Sequence, residues 1–274
     1  MRYLGIDLAW SDTVAANATG VIALEQDGLV VAAGWAVGVA ETVAWVNANA
    51  AADTSVFIDA PLVVLNPDGQ RLCEKQVGER YGRWKVSANS TNRASRRLAG
   101  VAIREQLEAS GWTYDDGSNG PSARGRMISE CYPYTTLVGA RELAYDVERP
   151  LYKRKPRKYS ASEWRPIRAA SCDELVRRLA ALDRASPPLD LQSHPATKKL
   201  LTEPSPLDDR AYKHREDLID ACLAAWSAAL WRTSGSSRCQ VLGVEESLVA
   251  ERGLRATIIA PARANRRGRE PSLR

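Results

Sequence analysis

Five acidic residues stand where the sequence pattern places the ends of strands and one face of a helix. Three of them close short apolar runs, and two lie three residues apart at the start of an Ala-rich helix: Asp7, Asp59 and Glu130, then Asp217 and Asp220. A buried carboxylate without a partner costs free energy. Several carboxylates that converge from separate strands therefore indicate a bound cation, and ligation by oxygen alone favours Mg²⁺ or Mn²⁺.

The helix acids share their face with small side chains. Asp217 and Asp220 fall at helical spacing with Ala221, Ala224 and Ala228. We expect these alanines to let the helix approach the sheet closely and hold its acids against the strand carboxylates. Carboxylates packed so closely raise one another's pKa, and a divalent ion relieves their repulsion.

Each acid also has an ordinary structural explanation. Asp7 could cap backbone amides, and Asp59 could form a turn before Pro61. Glu130 could pair with Arg126 or Arg141. Asp217 could interact favourably with the helix dipole near the N-terminus of its helix, and Asp220 could have only a packing role. The five acids are more persuasive together than singly, so a shared metal site is the preferred interpretation.

Basic, polar and aromatic side chains supply candidates for contact with a phosphate-bearing substrate. The predicted substrate-binding residues are Trp10, Arg80, Arg83, Lys85, Asn89 and His214. His214 lies near Asp217 and could shuttle a proton or orient a phosphate. A solvated helix face explains the arginines equally well.

The pattern of apolar residues predicts the elements that position these side chains. Residues 2–37 form a three-stranded meander with a hairpin turn at Asp27-Gly28. The remaining predicted elements are a helix at 39–52, a strand at 55–58, basic helices within 70–110, a strand at 126–131, helices at 135–144, 172–183 and 215–231, and a strand pair at 240–244 and 256–259. This order predicts an α/β fold in which parallel strands bring their carboxyl ends to one edge.

Composition restricts the classes of protein. Of 274 residues, 45% are hydrophobic and 26% are charged, as in a soluble globular protein. No apolar run reaches the roughly 18 residues that a membrane span needs, and the chain opens directly on a strand. We therefore expect a cytoplasmic protein without membrane contact. The five cysteines form no C-x-x-C pair, which disfavours a zinc site.

The predicted organisation is one domain over residues 1–262, followed by a basic tail at 263–274. Residues 145–210 read as a surface insertion, because prolines and a basic run at 153–158 interrupt the periodic pattern. The net charge of +5 and a pI near 9.0 permit a polyanionic partner. We expect the basic run and the arginines near residue 80 to contact nucleic acid.

Four segments resemble the domain-of-unknown-function 429 family, which is regarded as predicted nucleases of ribonuclease H-like fold. They read GIDLAW at 5–10, FIDAP at 57–61, ECYPY at 130–134 and DLIDA at 217–221. The resemblance implies a mixed five-stranded sheet of order 3-2-1-4-5 with flanking helices. The DLIDA segment is also similar to an element of Holliday-junction resolvases. By that likeness Asp7, Glu130 and Asp220 are the catalytic acids and metal ligands. Asp59 has no firm counterpart in the resolvases, and Asp59 and Asp217 are predicted as supporting metal ligands from their positions in the sequence.

The predicted function is metal-dependent hydrolysis of phosphodiester bonds in DNA or RNA. One alternative is a nucleotide-phosphate enzyme related to actin-like ATPases and sugar kinases, with phosphates against the turn at 11–19. Against it, the chain is short for two lobes and has no second Gly-rich hairpin. A non-catalytic module that binds nucleic acid or protein is the other alternative. The oligomeric state is left open by the sequence.

Overall fold

A mixed six-stranded sheet forms the centre of the computed structural model, which describes residues 1–9, 18–96, 98–245 and 253–263. Its strands are β1 (Arg2–Asp7), β2 (Ala18–Glu25), β3 (Val30–Val37), β4 (Thr54–Ile58), β5 (Thr113–Tyr114) and β6 (Arg126–Glu130). They lie in the order β3-β2-β1-β4-β6-β5. β1, β4, β6 and β5 are mutually parallel, and β2 is antiparallel to both of its neighbours.

The mixed α/β class is confirmed, and the predicted number of five strands is wrong. The five predicted strands take the expected relative order, and β5 adds a sixth at the edge beyond β6. β5 has two residues, with Thr113 opposite Met127 and Tyr114 opposite Ile128. Two residues are too few to show the alternating pattern by which a strand is recognised.

Seven α-helices and a strand pair complete the described part of the chain. They are α1 (Gly38–Asn49), α2 (Leu72–Tyr81), α3 (Ala99–Ala109), α4 (Pro133–Gly139), α5 (Ala161–Ala180), α6 (Pro195–Thr202) and α7 (Asp209–Ser234), with the antiparallel strands β7 (Cys239–Leu242) and β8 (Ile258–Pro261). The predicted helix at 39–52 and the closing strand pair are confirmed within a few residues. The helix predicted at 215–231 is also present and begins earlier, at Asp209. Gly28 takes the positive φ of 92° that the β2–β3 turn requires.

Both faces of the sheet are buried, so its central strands are apolar on both sides. Leu4, Ile6 and Val56 pack with α1 and α3, whereas Tyr3 and Phe57 pack with α7. α7 is the only long helix across the second face among the described elements, and its residues Leu218 to Trp231 are all buried. A parallel sheet covered on both faces has this sequence signature.

The segment predicted as a surface insertion contributes to the core on the α7 side. Tyr152 and Cys172 are fully buried, and Leu175 and Leu179 of α5 join the same hydrophobic cluster as α7. The assignment of residues 145–210 as an insertion stays a prediction, as does the single domain over 1–262. The predicted basic tail lies outside the described residues from position 264 onward.

None of the helices in the described ranges combines the length and the apolar character that a membrane crossing requires.

The close approach of α7 to β1 depends on the absence of a side chain at Gly5. A β-carbon there would lie 2.0 Å from the Ala221 carbonyl oxygen and 2.4 Å from the Ala225 backbone nitrogen. Both obstacles are backbone atoms, so relief requires the helix to move away from the sheet. We expect Gly5→Ala to lower the free energy of unfolding by about 1–3 kcal/mol or more in urea denaturation.

Gly34→Ala in β3 is the matched control, because a β-carbon there has no atom within 4 Å. We expect this variant to unfold within about 0.5 kcal/mol of the natural protein. Equal denaturation midpoints for both variants would contradict the close helix–sheet contact.

Candidate functional site

Two carboxylates meet where neighbouring parallel strands end. Asp7 ends β1, and Asp59 directly follows β4, which pairs with β1 in a register that sets Ile6 beside Ile58. The Asp59 backbone N–H donates to the Ile6 carbonyl oxygen at 2.8 Å, so the pairing continues to the acids themselves. Their side chains are 8% and 9% exposed. The sheet therefore fixes both acids at its carboxyl edge, as the sequence predicted.

α7 brings two more carboxylates to this edge. Asp217 is 2% exposed and Asp220 is fully buried. Gly20 of β2 lets the Asp217 backbone pass close by, since a β-carbon on Gly20 would lie 2.2 Å from the Asp217 carbonyl oxygen. Gly5 and Gly20 thus determine how closely the helix acids approach the sheet.

Three of these acids form a group that could hold a metal ion. Asp7, Asp59 and Asp220 each offer one oxygen, and these three oxygens lie within 4.8 Å of one another. Asp217 adjoins the group, since the negative charge of Asp7 raises the pKa of Asp217. Oxygen atoms from three separate elements can surround a small cation without change in the backbone.

Two lysines and one hydroxyl contact the helix acids. Lys153 forms an ion pair with Asp220, and the Tyr152 hydroxyl donates to Asp220 Oδ1 at 2.6 Å. Lys213 Nζ lies 2.5 Å from Asp217 Oδ1, one helical turn away. Asp7, Asp59, Asp217 and Asp220 thus exceed in number the two lysines that face them.

The pKa values of the acids reflect this excess of negative charge. Burial, and then the charge of Asp7, raise the pKa of Asp59 to about 8, and Lys153 only partly opposes the shift. The same two causes raise the pKa of Asp217 to about 8 against the effect of Lys213. Burial alone would lower the pKa of Lys213, but Asp7 and neighbouring acids raise it above its usual value. A divalent cation would neutralise the negative charge that the two lysines do not balance.

Glu130 lies one strand further along the edge and has a different partner. It ends β6, and Arg71 donates to both of its oxygens, at 2.8 and 2.7 Å. The Leu62 backbone N–H donates to Oε2 at 2.9 Å. Arg71 also pairs with Glu74, so a buried arginine serves two acids. Burial raises the pKa of Glu130, although Arg71 favours its charged form.

The structure therefore places Glu130 beside the group of three carboxylates and outside it. Its guanidinium partner is Arg71, and the expected partners Arg126 and Arg141 make other contacts. A cavity of about 40 Å³ connects the two places, because Asp59, Arg71 and Glu130 all line it. The role of Glu130 as a catalytic acid stays a prediction.

A cleft of about 240 Å³ opens over Asp7, Asp59 and Asp217, and we call it the acid cleft. Its mouth carries cations and aromatic rings: Tyr132, Tyr134, Lys153, Arg154 and Lys213. Asn89 also lines the mouth, and its Oδ1 accepts a hydrogen bond from Arg154 at 2.9 Å. The acid cleft thus combines a negative floor with a positive rim.

Most of the other predicted substrate contacts lie elsewhere. Arg80 is 4.0 Å from Glu245, Arg83 stacks on Trp84 at 3.7 Å, and Lys85 pairs with Glu148. His214 lines a separate groove beside Trp35. Trp10 falls outside the described residues. Of the predicted substrate-binding residues within the described ranges, Asn89 alone lines the acid cleft.

Sequence reasoning missed Arg71 and Lys213. Arg71 directly precedes α2, and its pairing with Glu74 three residues later is a pattern visible in the sequence. Lys213 stands four residues before Asp217, the spacing at which helical side chains meet. Both signals are common on solvated helices, so neither distinguishes a buried site.

A short stretch of the chain, residues 149–154, crosses the rim of the acid cleft, and we call it the strap. The Tyr152 carbonyl accepts from the Tyr212 hydroxyl at 2.6 Å, and Arg149 Nε donates to the Lys85 carbonyl at 2.9 Å. Arg154 is held by Asn89. These three hydrogen bonds anchor the strap, and the strap places Tyr152 and Lys153 in contact with Asp220.

The fold and the site define a mixed α/β protein with a buried carboxylate group that could hold a metal ion. The family described as Protein of unknown function (DUF429) matches residues 5–246, a span that includes all five acids. The chain belongs to this family, which confirms the resemblance stated above. No curated protein and no solved structure matches the chain.

The raised pKa values predict an unusual pH dependence of stability without metal. Asp59 and Asp217 have pKa values of about 8 in the folded protein, against about 4 for an unfolded aspartate. The folded protein holds protons that the unfolded chain releases, so the free energy of unfolding falls as pH rises from about 4 to 8. In chelator, we expect Asp59→Asn to exceed the natural protein in stability at pH 8.5 by about 1 kcal/mol or more.

Urea denaturation at pH 5 and pH 8.5 measures this effect. The exposed Asp68 offers the control, since Asp68→Asn removes a charge that has no part in the site. If the free energy of unfolding of Asp59→Asn fell between pH 5 and pH 8.5 as steeply as that of the natural protein, repulsion between the buried acids would be contradicted.

Proposed function

We propose that the protein is a metal-dependent nuclease that hydrolyses phosphodiester bonds in nucleic acid. The observation that carries the proposal is the group of Asp7, Asp59 and Asp220 under a rim of cations. A negative floor suits a divalent ion, and a positive rim suits phosphate. The two features together favour a reaction at a phosphate group over simple cation storage.

The sheet supports the further proposal that the fold is ribonuclease H-like. That fold has strands in the order 3-2-1-4-5, with strands one, four and five parallel. Here β3-β2-β1-β4-β6 follow the same order and the same directions, and the two-residue β5 extends the far edge. The acids lie at the carboxyl ends of the parallel strands, where open α/β sheets bind ligands.

Mg²⁺ or Mn²⁺ fits the donor set, and Asp7, Asp59 and Asp220 would hold it. Every donor is a carboxylate oxygen, and the residual negative charge of the group matches a divalent ion. The chemistry that such an ion supplies when bound is activation of a water nucleophile and stabilisation of the leaving oxygen. Asp217 and Glu130 lie on either side of these ligands and would support them.

The cations of the rim would bind the phosphate. Arg154 and Lys153 come from the strap, and Lys213 comes from α7, so the phosphate would meet positive charge on two sides. Asn89 orients the Arg154 guanidinium, which is suited to paired hydrogen bonds with phosphate oxygens. Lys153 would exchange the Asp220 carboxylate for a phosphate oxygen, while Tyr152 keeps that carboxylate in place. Such binding weakens as salt rises.

The first alternative is a non-catalytic module that binds nucleic acid or protein. The bonds from Tyr152 and Lys153 to Asp220 favour it, because they would satisfy this acid structurally. The second alternative is a nucleotide-phosphate enzyme of the actin-like and sugar-kinase type. Its predicted phosphate turn lies mostly outside the described residues. Titration of nucleotide and nucleic acid with and without metal separates the three, and cytoplasmic residence stays a prediction.

Asp220→Asn tests the nuclease proposal. The change is nearly isosteric and keeps an oxygen for Tyr152, so we expect the fold to survive. It removes one negative charge from the buried group that Asp220 forms with Asp7 and Asp59. We expect single-turnover cleavage of nucleic acid in Mn²⁺ to fall by about a hundredfold or more, while binding persists or tightens because less charge repels the phosphate.

The control is Asp183→Asn, a loss of charge at a side chain that is 48% exposed. Cleavage by this variant should match that of the natural protein. Unchanged cleavage in a folded Asp220→Asn variant would exclude Asp220 from catalysis and leave Asp217 as the helix ligand. Cleavage that falls only in proportion to the melting temperature would assign Asp220 a structural role.

A further inference from the structure

A second groove, of about 550 Å³, opens between β3, α6 and α7, and we call it the aromatic groove. Its lining includes Trp35, both histidines of the chain, Lys199 and Arg215. The acids of the acid cleft do not belong to this lining. The proposed hydrolysis uses none of these side chains.

The ring of Trp35 is fixed and yet open to solvent. Its indole N–H donates to the His214 carbonyl oxygen at 3.1 Å, and its ring centroid lies 5.4 Å from that of His214 at an angle of 52°. The side chain nevertheless remains 39% exposed. A large aromatic ring held in place at the surface loses little conformational freedom when a flat partner stacks on it.

His194 and two cations complete the character of the aromatic groove. His194 caps α6, where its Nδ1 accepts from the Ala196 backbone N–H at 3.1 Å, so this ring is also fixed. Lys199 supplies positive charge beside the lining acid Glu203, and the largely buried Arg215 lies 3.7 Å from Asp173. Fixed aromatic rings beside a lysine suit a ligand that carries both a flat ring and an anion.

The aromatic groove adjoins the acid cleft through consecutive residues of α7. Lys213 lines the cleft and pairs with Asp217, whereas His214, the next residue, lines the aromatic groove. Successive side chains of a helix point about 100° apart, so the two sites lie on neighbouring sides of one helical turn. A flexible polymer with its phosphate in the cleft can therefore reach the groove.

We propose that the aromatic groove binds an unpaired base of a single-stranded nucleic acid, stacked on Trp35, next to the phosphate in the acid cleft. The proposal rests on the proposed function for its class of substrate and adds that the substrate has a single-stranded part. Bases of a duplex are stacked on one another and cannot enter such a groove, whereas unpaired bases stack on aromatic side chains.

The test compares affinities in the Asp220→Asn background, where the strand is not cut. A fluorescent 12-nucleotide single strand and a duplex of the same sequence are titrated in Mg²⁺ by anisotropy. We expect Trp35→Ala to weaken single-strand binding about tenfold and to leave duplex binding within twofold. Val31→Ala is the control, because Val31 is 45% exposed on the same strand and lies outside the groove lining. It should leave both affinities unchanged.

The outcomes separate this inference from the proposed function. Equal single-strand affinity with and without the Trp35 ring would overturn the inference, even if the natural protein cleaves nucleic acid. A Trp35-dependent preference for single strands would support it, even if the natural protein cleaves nothing. Sedimentation supplies the remaining test. If the natural protein is a dimer that persists with single strand bound, and the Trp35→Ala variant is a monomer, then the groove binds a second copy of the chain and the inference is overturned.

Discussion

The rest of the structure depends on one constraint, which is that several carboxylates share a buried place at the end of a parallel sheet. Asp7 and Asp59 are fixed there by strand pairing, and Asp220 arrives on a helix whose alanines lie against the sheet. Gly5 and Gly20 permit that contact. Like charges so close destabilise the fold unless cations neutralise them. The lysines that face the acids neutralise only part of this negative charge.

The same constraint explains the arrangement of the chain around the acid cleft. The strap crosses the rim, buries Tyr152 and sets Lys153 against Asp220. Further along the edge, Glu130 has its own cationic partner, the buried Arg71, which it shares with Glu74. The edge of the sheet therefore carries two different solutions to buried negative charge. At Glu130 the negative charge is held in an ion pair. At the group of Asp7, Asp59 and Asp220, carboxylate oxygens surround a place where an ion can bind.

Much of this arrangement could be predicted from the sequence, for physical reasons. Asp7 and Asp59 follow apolar strands, and parallel strands bring such residues together whatever the loops do. The alanine face of α7 likewise predicted a close contact. The partner of Glu130 could not be predicted, because Arg71 reaches it from a distance of 59 residues along the chain. His214 was expected at the acids, but Lys213 lies there, since a helix turns about 100° per residue.

The most direct test of the central claim is anomalous diffraction from a crystal of the natural protein soaked in Mn²⁺. We expect an anomalous peak within about 2.5 Å of carboxylate oxygens of Asp7, Asp59 and Asp220. We also expect Lys153 to leave Asp220 in that crystal. The absence of a peak at millimolar Mn²⁺, with Lys153 still paired to Asp220, would contradict the account and leave the acids as a structural network.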